Sequence, residues 1–392
     1  MNQGVHCPVG AARKHFEAAF ASWLGVPHAF AFWKGRVALY AILRALGVGE
    51  GDEVIVPGYT CVAVVRPIKY LRAKPVYVDI EPATYNIDPG RIEEHVTDRT
   101  RLIVAQHTYG FPADMDAILA IAARRGLTVI EDACLAIGST YRGRRTGTLA
   151  RAAYWSMQWS KTFTTGVGGL ATTDDNNLAD HIARLVAAEA YEAGPGEALL
   201  LAAMRKVHRV LAYPSTMTRI QALYRWLLDR GLAPGNPPGP RQVEFQPTFF
   251  KRMGAGQARV GLCAVRRLDA NIAHRRRTAR LYDELLAARG WPRPTLPDGI
   301  DPVLVRYPVR VADKAAAVEA ARARHLELGT WFDSPLHQST EPLDVYGYTD
   351  GTCPQAEKAC REVVNLPTHP RTREKMARKV VDLICEIGPA KD

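Results

Sequence analysis

No two of the seven cysteines stand in a CxxC pair, and their number is odd. Cys7, Cys61, Cys134, Cys263, Cys353, Cys360 and Cys385 are scattered, which argues against a disulfide framework and against a zinc site, so no metal is expected. Long apolar runs are missing too. The most apolar stretch, 198–204, is too short to span a bilayer. The opening residues MNQGVHCPVG lack an apolar signal core, so a soluble cytoplasmic protein is expected. No run of Lys and Arg is interleaved with aromatics in the manner of a nucleic-acid groove, and no nucleic-acid partner is expected. There are no internal repeats. Acid is in short supply: 40 Asp and Glu face 51 Lys and Arg, a formal charge of +11. That excess suits an anionic partner such as a phosphorylated small molecule, or equally a basic solvated surface.

What is present is a globular chain of 392 residues, 47% hydrophobic and 23% charged, long enough for a large domain and a smaller one. Short apolar runs at 53–56, 75–78, 102–105 and 127–130 read as buried strands, separated by helical stretches at 37–46, 62–71 and 115–124. This alternation predicts an α/β fold with a doubly wound, mostly parallel sheet, whose ligand site lies beyond the carboxyl ends of the strands. A helix is predicted from 176 to about 193. An irregular, apolar excursion follows at 194–246, with helical pieces at 199–210 and 220–228 and a Pro/Gly loop at 233–240; it reads as a lid, a dimer arm, an acceptor pocket or a packing excursion. A long helix over 257–289 leads into short strands and helices at 305–311, 315–325, 355–363 and 373–387. The expected division is a large domain at 1–250 and a small α/β domain at 251–392.

Three stretches carry candidate chemistry. Residues 130–133 read IEDA, a buried strand ending in two carboxylates. A carboxylate there needs a partner, either a cationic ring nitrogen or the donors of an N-cap or turn. Residues 154–169 read YWSMQWSKTFTTGVGG, with Lys161 alone in an otherwise uncharged stretch. An amine held away from water can form an imine; the competing reading is an exposed lysine before a hairpin. Ser156 could donate to a phosphate, and Gly166, Gly168 and Gly169 permit a tight turn near a ligand. Lys34, Gly35 and Arg36 open the first helix. Free amides at a helix N-terminus bind anions and adjacent cations add to this, although a plain basic helix start has the same residues.

The blocks ALGVGEGDEVIVPGYTCVA, KPVYVDIEPATYNIDP, QHTYGFPADMDAI, EDACLAIGS, SPLHQ, PQAEKAC and NLPTHP resemble, in order and over nearly the whole chain, those of the DegT/StrS family of pyridoxal-phosphate-dependent sugar aminotransferases. The resemblance implies a fold-type I enzyme using pyridoxal 5'-phosphate. Lys161 would be the Schiff-base lysine and proton shuttle. Asp132 would keep the cofactor's ring nitrogen protonated, so that the ring acts as an electron sink. Ser156 and the amides of Gly35 and Arg36 would hold the phosphate. His107 and Tyr109 would lie near the active site, and Tyr59, His107 and His337 on the substrate side. The family also implies a homodimer with the site at the subunit interface.

Several positions depart from the family. Leu135 stands where a Gln usually bonds the cofactor's phenolic oxygen, and Ile137 stands for a His. Cys61 replaces the aromatic that stacks on the cofactor ring; Tyr59, two residues earlier, could compensate. LysGlyArg replaces SerGlyThr, so that Arg36 offers a charged clamp. Phe250 takes the place of an Asn that reaches the phosphate from the partner subunit, with Lys251 and Arg252 as candidate replacements. Some relatives are dehydratases with His in place of the lysine; this chain keeps Lys161. The expected reaction moves an amino group from glutamate or glutamine to a keto-sugar, nucleotide-linked and anionic, or to a cyclitol ketone, in secondary-metabolite or surface-polysaccharide biosynthesis. The alternatives are a pyridoxal-phosphate elimination or decarboxylation, and a non-catalytic regulatory or binding protein.

Overall fold

The computed structural model describes residues 9–211, 226–227, 230, 244–292 and 295–390. In chain order, α1 (Val9–Leu24), β1 (His28–Phe32), α2 (Gly35–Ala45), β2 (Glu53–Pro57), β3 (Thr60–Cys61), α3 (Val62–Tyr70), β4 (Lys74–Val78) and β5 (Thr100–Gln106) are followed by α4 (Met115–Arg125), β6 (Thr128–Asp132), β7 (Ala152–Ser156), β8 (Gly169–Thr173), α5 (Asn176–Glu189) and α6 (Pro195–Leu211). Seven of these strands form one sheet in the order β1-β8-β7-β6-β5-β2-β4. From β4 to β7 the neighbours run parallel; β8 and β1 close one edge antiparallel.

Alternation along the strands builds a layer on each face. Val54, Val56, Leu102, Val104 and Ile130 pack with α2 and α3 through Leu39 and Val65. Ile55, Ile103, Ala105 and Val129 turn the other way, onto Ile118 and Ile121 of α4. Strands covered on both faces need no polar side, which is why they read as unbroken apolar runs. Helix α4 is fixed at both ends: Asp114 accepts from the Ala117 amide at 3.2 Å, and Gly126 takes the left-handed conformation that ends it.

The C-terminal part adds α7 (Ala255–Val265), α8 (Leu268–Ala287), β9 (Arg306–Arg310), α9 (Lys314–Ala323), β10 (Leu336–His337), α10 (Pro354–Glu362), β11 (Val363–Pro367) and α11 (Glu374–Ile387). Strands β9 and β11 pair antiparallel, and Val309, Leu366, Ala317, Tyr282 and Ile384 form a core of their own. The single helix expected over 257–289 is instead two, broken at Arg266 and Arg267, where Arg267 sits at φ −110°, ψ 5°. The break serves two different partners. Helix α7 lies on α1, with Gly261 against the Phe16 ring, while α8 turns away to bury Tyr282 and Leu286 against Val380 and Ile384 of α11. Stretch 199–210 lies within α6; most of 220–228 and all of 233–240 fall outside the described residues. Residues from 332 to 363, among them Phe332, Leu336 and Tyr346, pack into the core of the large sheet.

Candidate active site

Strand parity decides which carboxylate of the IEDA stretch faces the ligand side. Glu131 is buried on the far face and accepts from the amides of Gly147, Leu149 and Ala150 at 2.5, 2.7 and 2.9 Å and from His107 Nε2 at 2.9 Å. The Ala113 amide donates to His107 Nδ1 at 3.0 Å. Both ring nitrogens of His107 are therefore committed inside the protein. This corrects the substrate-side expectation for His107, which braces the end of β6. Asp132 ends β6 on the other face. It accepts from Tyr154 Oη at 2.6 Å and from the Cys134 amide at 3.0 Å. Burial, with Asp132 beside it, holds the Tyr154 phenol protonated well above its ordinary range, so Tyr154 is a fixed donor to Asp132.

The cradle forms where α2 meets the carboxyl end of β7 and the amino end of the antiparallel β8. A Cβ on Gly169 would lie 2.5 Å from the Gly35 nitrogen and Cα, and one on Gly35 would lie 2.9 Å from Ser156 Cβ. Only glycine at both positions brings the α2 N-terminus this close to Ser156. Gly169 thus serves backbone-to-backbone packing, not the tight turn read from the sequence. The helix start has no acidic residue in its first turn and no side-chain cap bond from Lys34, which leaves its first amides to an anion. Cations surround it. Burial, then Arg36 and Lys251, push the Lys34 amine well below its ordinary range. Burial, with Arg66 close by, lowers Arg36 to about 10. Lys251 pairs with Glu197 at 2.7 Å and Arg66 with Glu341 at 3.3 Å. With the Lys34 amine pushed toward neutral, Arg36, Arg66 and Lys251 against Glu197 and Glu341 leave one formal positive charge among the described residues, which a phosphate would meet there. Arg66, 1% exposed, also keeps Nη1 without a hydrogen-bond partner among the described residues. The residues present fit a phosphorylated cofactor.

Lys161 lies in the loop between β7 and β8. The loop is pinned by the Met157 amide donating to the Gly168 carbonyl at 2.9 Å and the Thr165 amide to the Met157 carbonyl at 3.1 Å. Lys161 Nζ stands 5.0 Å from the centre of the Trp331 ring. Cys61 feels the charges of Lys161, Arg66 and Asp132, while burial raises its thiol above the ordinary range. Strand β3 pairs with β10, setting Cys61 opposite His337. His337 Nδ1 is 2.6 Å from Asp333, and its buried Nε2 has no hydrogen-bond partner among the described residues.

Other expected positions are placed differently. Tyr59 is fully buried; its hydroxyl lies 2.8 Å from that of Tyr109, and its ring packs on Tyr85 and Phe332. Its ring is enclosed in this aromatic cluster, which corrects the expectation that it compensates for Cys61. Tyr109 also donates to the Trp331 carbonyl. Leu135 and Ile137 are buried in apolar clusters. Phe250 is 1% exposed and stacks on Phe32. The sequence reading missed Tyr154 as a partner of Asp132, and missed Arg66, Trp331 and Glu341 altogether. These come from distant segments, and nothing local to them signals a site.

A model of the DegT/DnrJ/EryC1/StrS aminotransferase family matches residues 1–228 and 232–385. The chain belongs to this family. It is an α/β fold-type I aminotransferase, and its cofactor is pyridoxal 5'-phosphate. This aminotransferase is 32% identical to GDP-perosamine synthase of Caulobacter vibrioides, over 97% of this chain and 91% of that one. It is 35% identical to the L-glutamine:2-deoxy-scyllo-inosose aminotransferase of Streptomyces lividus, over 83% and 70%. Among solved structures it is similar to DesV of S. venezuelae in complex with a ketimine intermediate, with a TM-score of 0.74 and 28% identity over 97% and 90% of the two chains. At the departures, Leu135 and Phe250 are buried apolar side chains where Gln and Asn were expected, and Cys61 puts a thiol where an aromatic was expected.

Proposed function

We propose that Lys161 carries the cofactor and that the enzyme moves an amino group from glutamate or glutamine to the ketone of a sugar, nucleotide-linked, or of a cyclitol. The observation that carries this reading is the meeting of the α2 cradle, Asp132 and Lys161 at the carboxyl ends of neighbouring strands. The bound cofactor supplies an electron sink for the carbon that carries the amino group. The amides of Gly35 and Arg36, the Arg36 guanidinium and Ser156 hold its phosphate. Asp132, oriented by Tyr154 and Cys134, holds the proton on its ring nitrogen. The Cys61 thiol, kept neutral by burial, would offer the cofactor ring a small apolar surface, with Leu135 in the apolar cluster against which Cys61 packs. The Lys161 amine would take a proton from the carbon that bears the amino group and return it to the carbon on the other side of that nitrogen, and Trp331 covers that amine. His337 offers Nε2 to an acceptor hydroxyl.

The two relatives' names supply the acceptor classes, a nucleotide sugar and a cyclitol ketone, and the charge of +11 favours an anionic acceptor. The same proposal includes a large unit up to about residue 250 with a smaller one after it. It also includes a cytoplasmic homodimer with subunits meeting over the site. The exposed Leu199 and Val207 of α6 support the dimer. Among the described residues no helix is long and apolar enough to cross a membrane.

The test is a pair of half-reactions. Glutamine or glutamate alone should bleach the visible band of the loaded enzyme and release one 2-oxo acid per site. A keto-sugar or cyclitol ketone should then restore the band as it gains the amine, with parallel-line kinetics. Release of ammonia or carbon dioxide with no amine transferred would contradict the proposal.

A further inference from the structure

Arg275 of α8 is 2% exposed, yet all its described hydrogen-bond partners are neutral oxygens. Nη1 donates to the Val305 carbonyl and to Thr368 Oγ1, each at 2.8 Å; Nε donates to Asn271 Oδ1 at 3.0 Å; Nη2 reaches the Thr162 carbonyl at 3.4 Å. Asn271 Nδ2 donates to the same Thr162 carbonyl at 2.6 Å. Thr162 is the residue after Lys161. Burying a guanidinium without a counter-ion is costly, and burial together with Arg306 lowers Arg275 to about 9. A packed apolar residue would stabilise the fold more simply. The arginine's planar fork does something an apolar residue could not: it ties the Lys161 loop, through Asn271, to the strand segments at Val305 and Thr368. Trp331 has both Lys161 Nζ, at 5.0 Å, and the Arg306 guanidinium, at 4.9 Å, over its ring. The backbone one residue after Lys161 and the Lys161 side chain thus meet two different segments of the C-terminal part.

We infer that Arg275, acting through Asn271, is a positioning residue that fixes the peptide bearing Lys161 and sets where its amine stands relative to Asp132. The inference rests on the reading of Lys161 as the cofactor-bearing lysine. Misplacing a reacting group by about 1 Å costs on the order of a hundredfold in rate, so a brace on the peptide beside the lysine belongs to the chemistry and not to substrate affinity.

The test uses Arg275→Met, Arg275→Lys and Asn271→Ala in the cofactor-loaded enzyme. Arg275→Met should lower kcat at least about tenfold with KM for the amino donor nearly unchanged, the pattern of a lost transition-state interaction. Amide exchange in the peptide around 158–166 should speed up in the same variant. Arg275→Lys should not restore kcat, because a single ammonium cannot span Asn271 and Thr368 together. Asn271→Ala should show a smaller loss, and the double variant should be no slower than Arg275→Met, the mark of two residues in one network. If Arg275→Met fails to fold, Asn271→Ala and Arg275→Lys decide. Variants that melt lower but keep wild-type kcat and wild-type loop exchange overturn the inference and make the bracket purely structural. A wrong assignment of Lys161 shows separately, as cofactor attached to another lysine of the wild-type enzyme.

Discussion

At residue 131 and at residue 132 the chain carries the same functional group in two different trades. Glu131 is enclosed by four donors and Asp132 faces the cofactor side with two. The sequence makes the pair visible, because two acids ending a buried strand are unusual. Parity and the neighbouring strand choose between them, and the neighbour that matters, Tyr154, is found only once β7 is known to lie beside β6. Lys161, Ser156, Gly35 and Arg36, proposed to hold the cofactor, were picked out as candidates for the same reason that Asp132 was: each sits in a short contiguous motif. Trp331, Arg66 and Arg275 were not, because their roles depend on which distant backbone they meet. Glu17 gives a residue-scale prediction outside the site. It accepts from the Ala31 amide at 2.7 Å, and burial raises its carboxyl from 4.5 to about 7. A carboxyl bound more tightly to its proton in the native state stabilises that state at low pH and loses the contribution as pH rises through 7. Glu17→Gln, which keeps the acceptor, should therefore match wild type in urea midpoint near about pH 4.5 and exceed it by about pH 8. An equal gap at both values would refute the assignment.

Among the elements, the parallel strands and their helices were readable from apolar runs and period, because strands buried on both faces carry no polar interruptions. The long helix after residue 255 was not. Nothing in the local sequence at Arg266-Arg267 stops a helix; the break comes from α7 and α8 having different partners. The element junction that matters most for function is α2 against β8. Gly169→Ala puts a Cβ 2.5 Å from the Gly35 backbone, and backbone cannot step aside as a side chain end can. Overpacking of this kind costs about 1–3 kcal/mol. The shift falls on the amides of the cradle, so cofactor affinity measured by titration should drop at least about tenfold. Gly49→Ala, which meets nothing within 4 Å, is the control. Unchanged affinity in Gly169→Ala would mean that the α2 N-terminus does not hold the phosphate.

For the whole molecule, the excess of basic residues is where sequence and structure speak together. The charge of +11 was open between a basic surface and an anionic ligand. Part of it is placed: Lys34, Arg36, Arg66 and Lys251 lie about one helix start, with Glu197 paired to Lys251 and Glu341 to Arg66 among the described residues. The rest is spread over surface pairs such as Arg324 with Glu386 and Arg378 with Glu374, which contribute little individually. The same convergence sharpens the central claim, since it places two other lysines beside the cradle. The Lys34 amine is pushed toward the neutral form by desolvation and by Arg36 and Lys251, so Lys161 has a competitor for attachment. Borohydride reduction of the cofactor-loaded enzyme, digestion and peptide mass analysis separate them. The account predicts the pyridoxyl phosphate mass on the peptide that carries Lys161 and on none that carries Lys34 or Lys251; label on Lys34, or no label on any lysine, would contradict it.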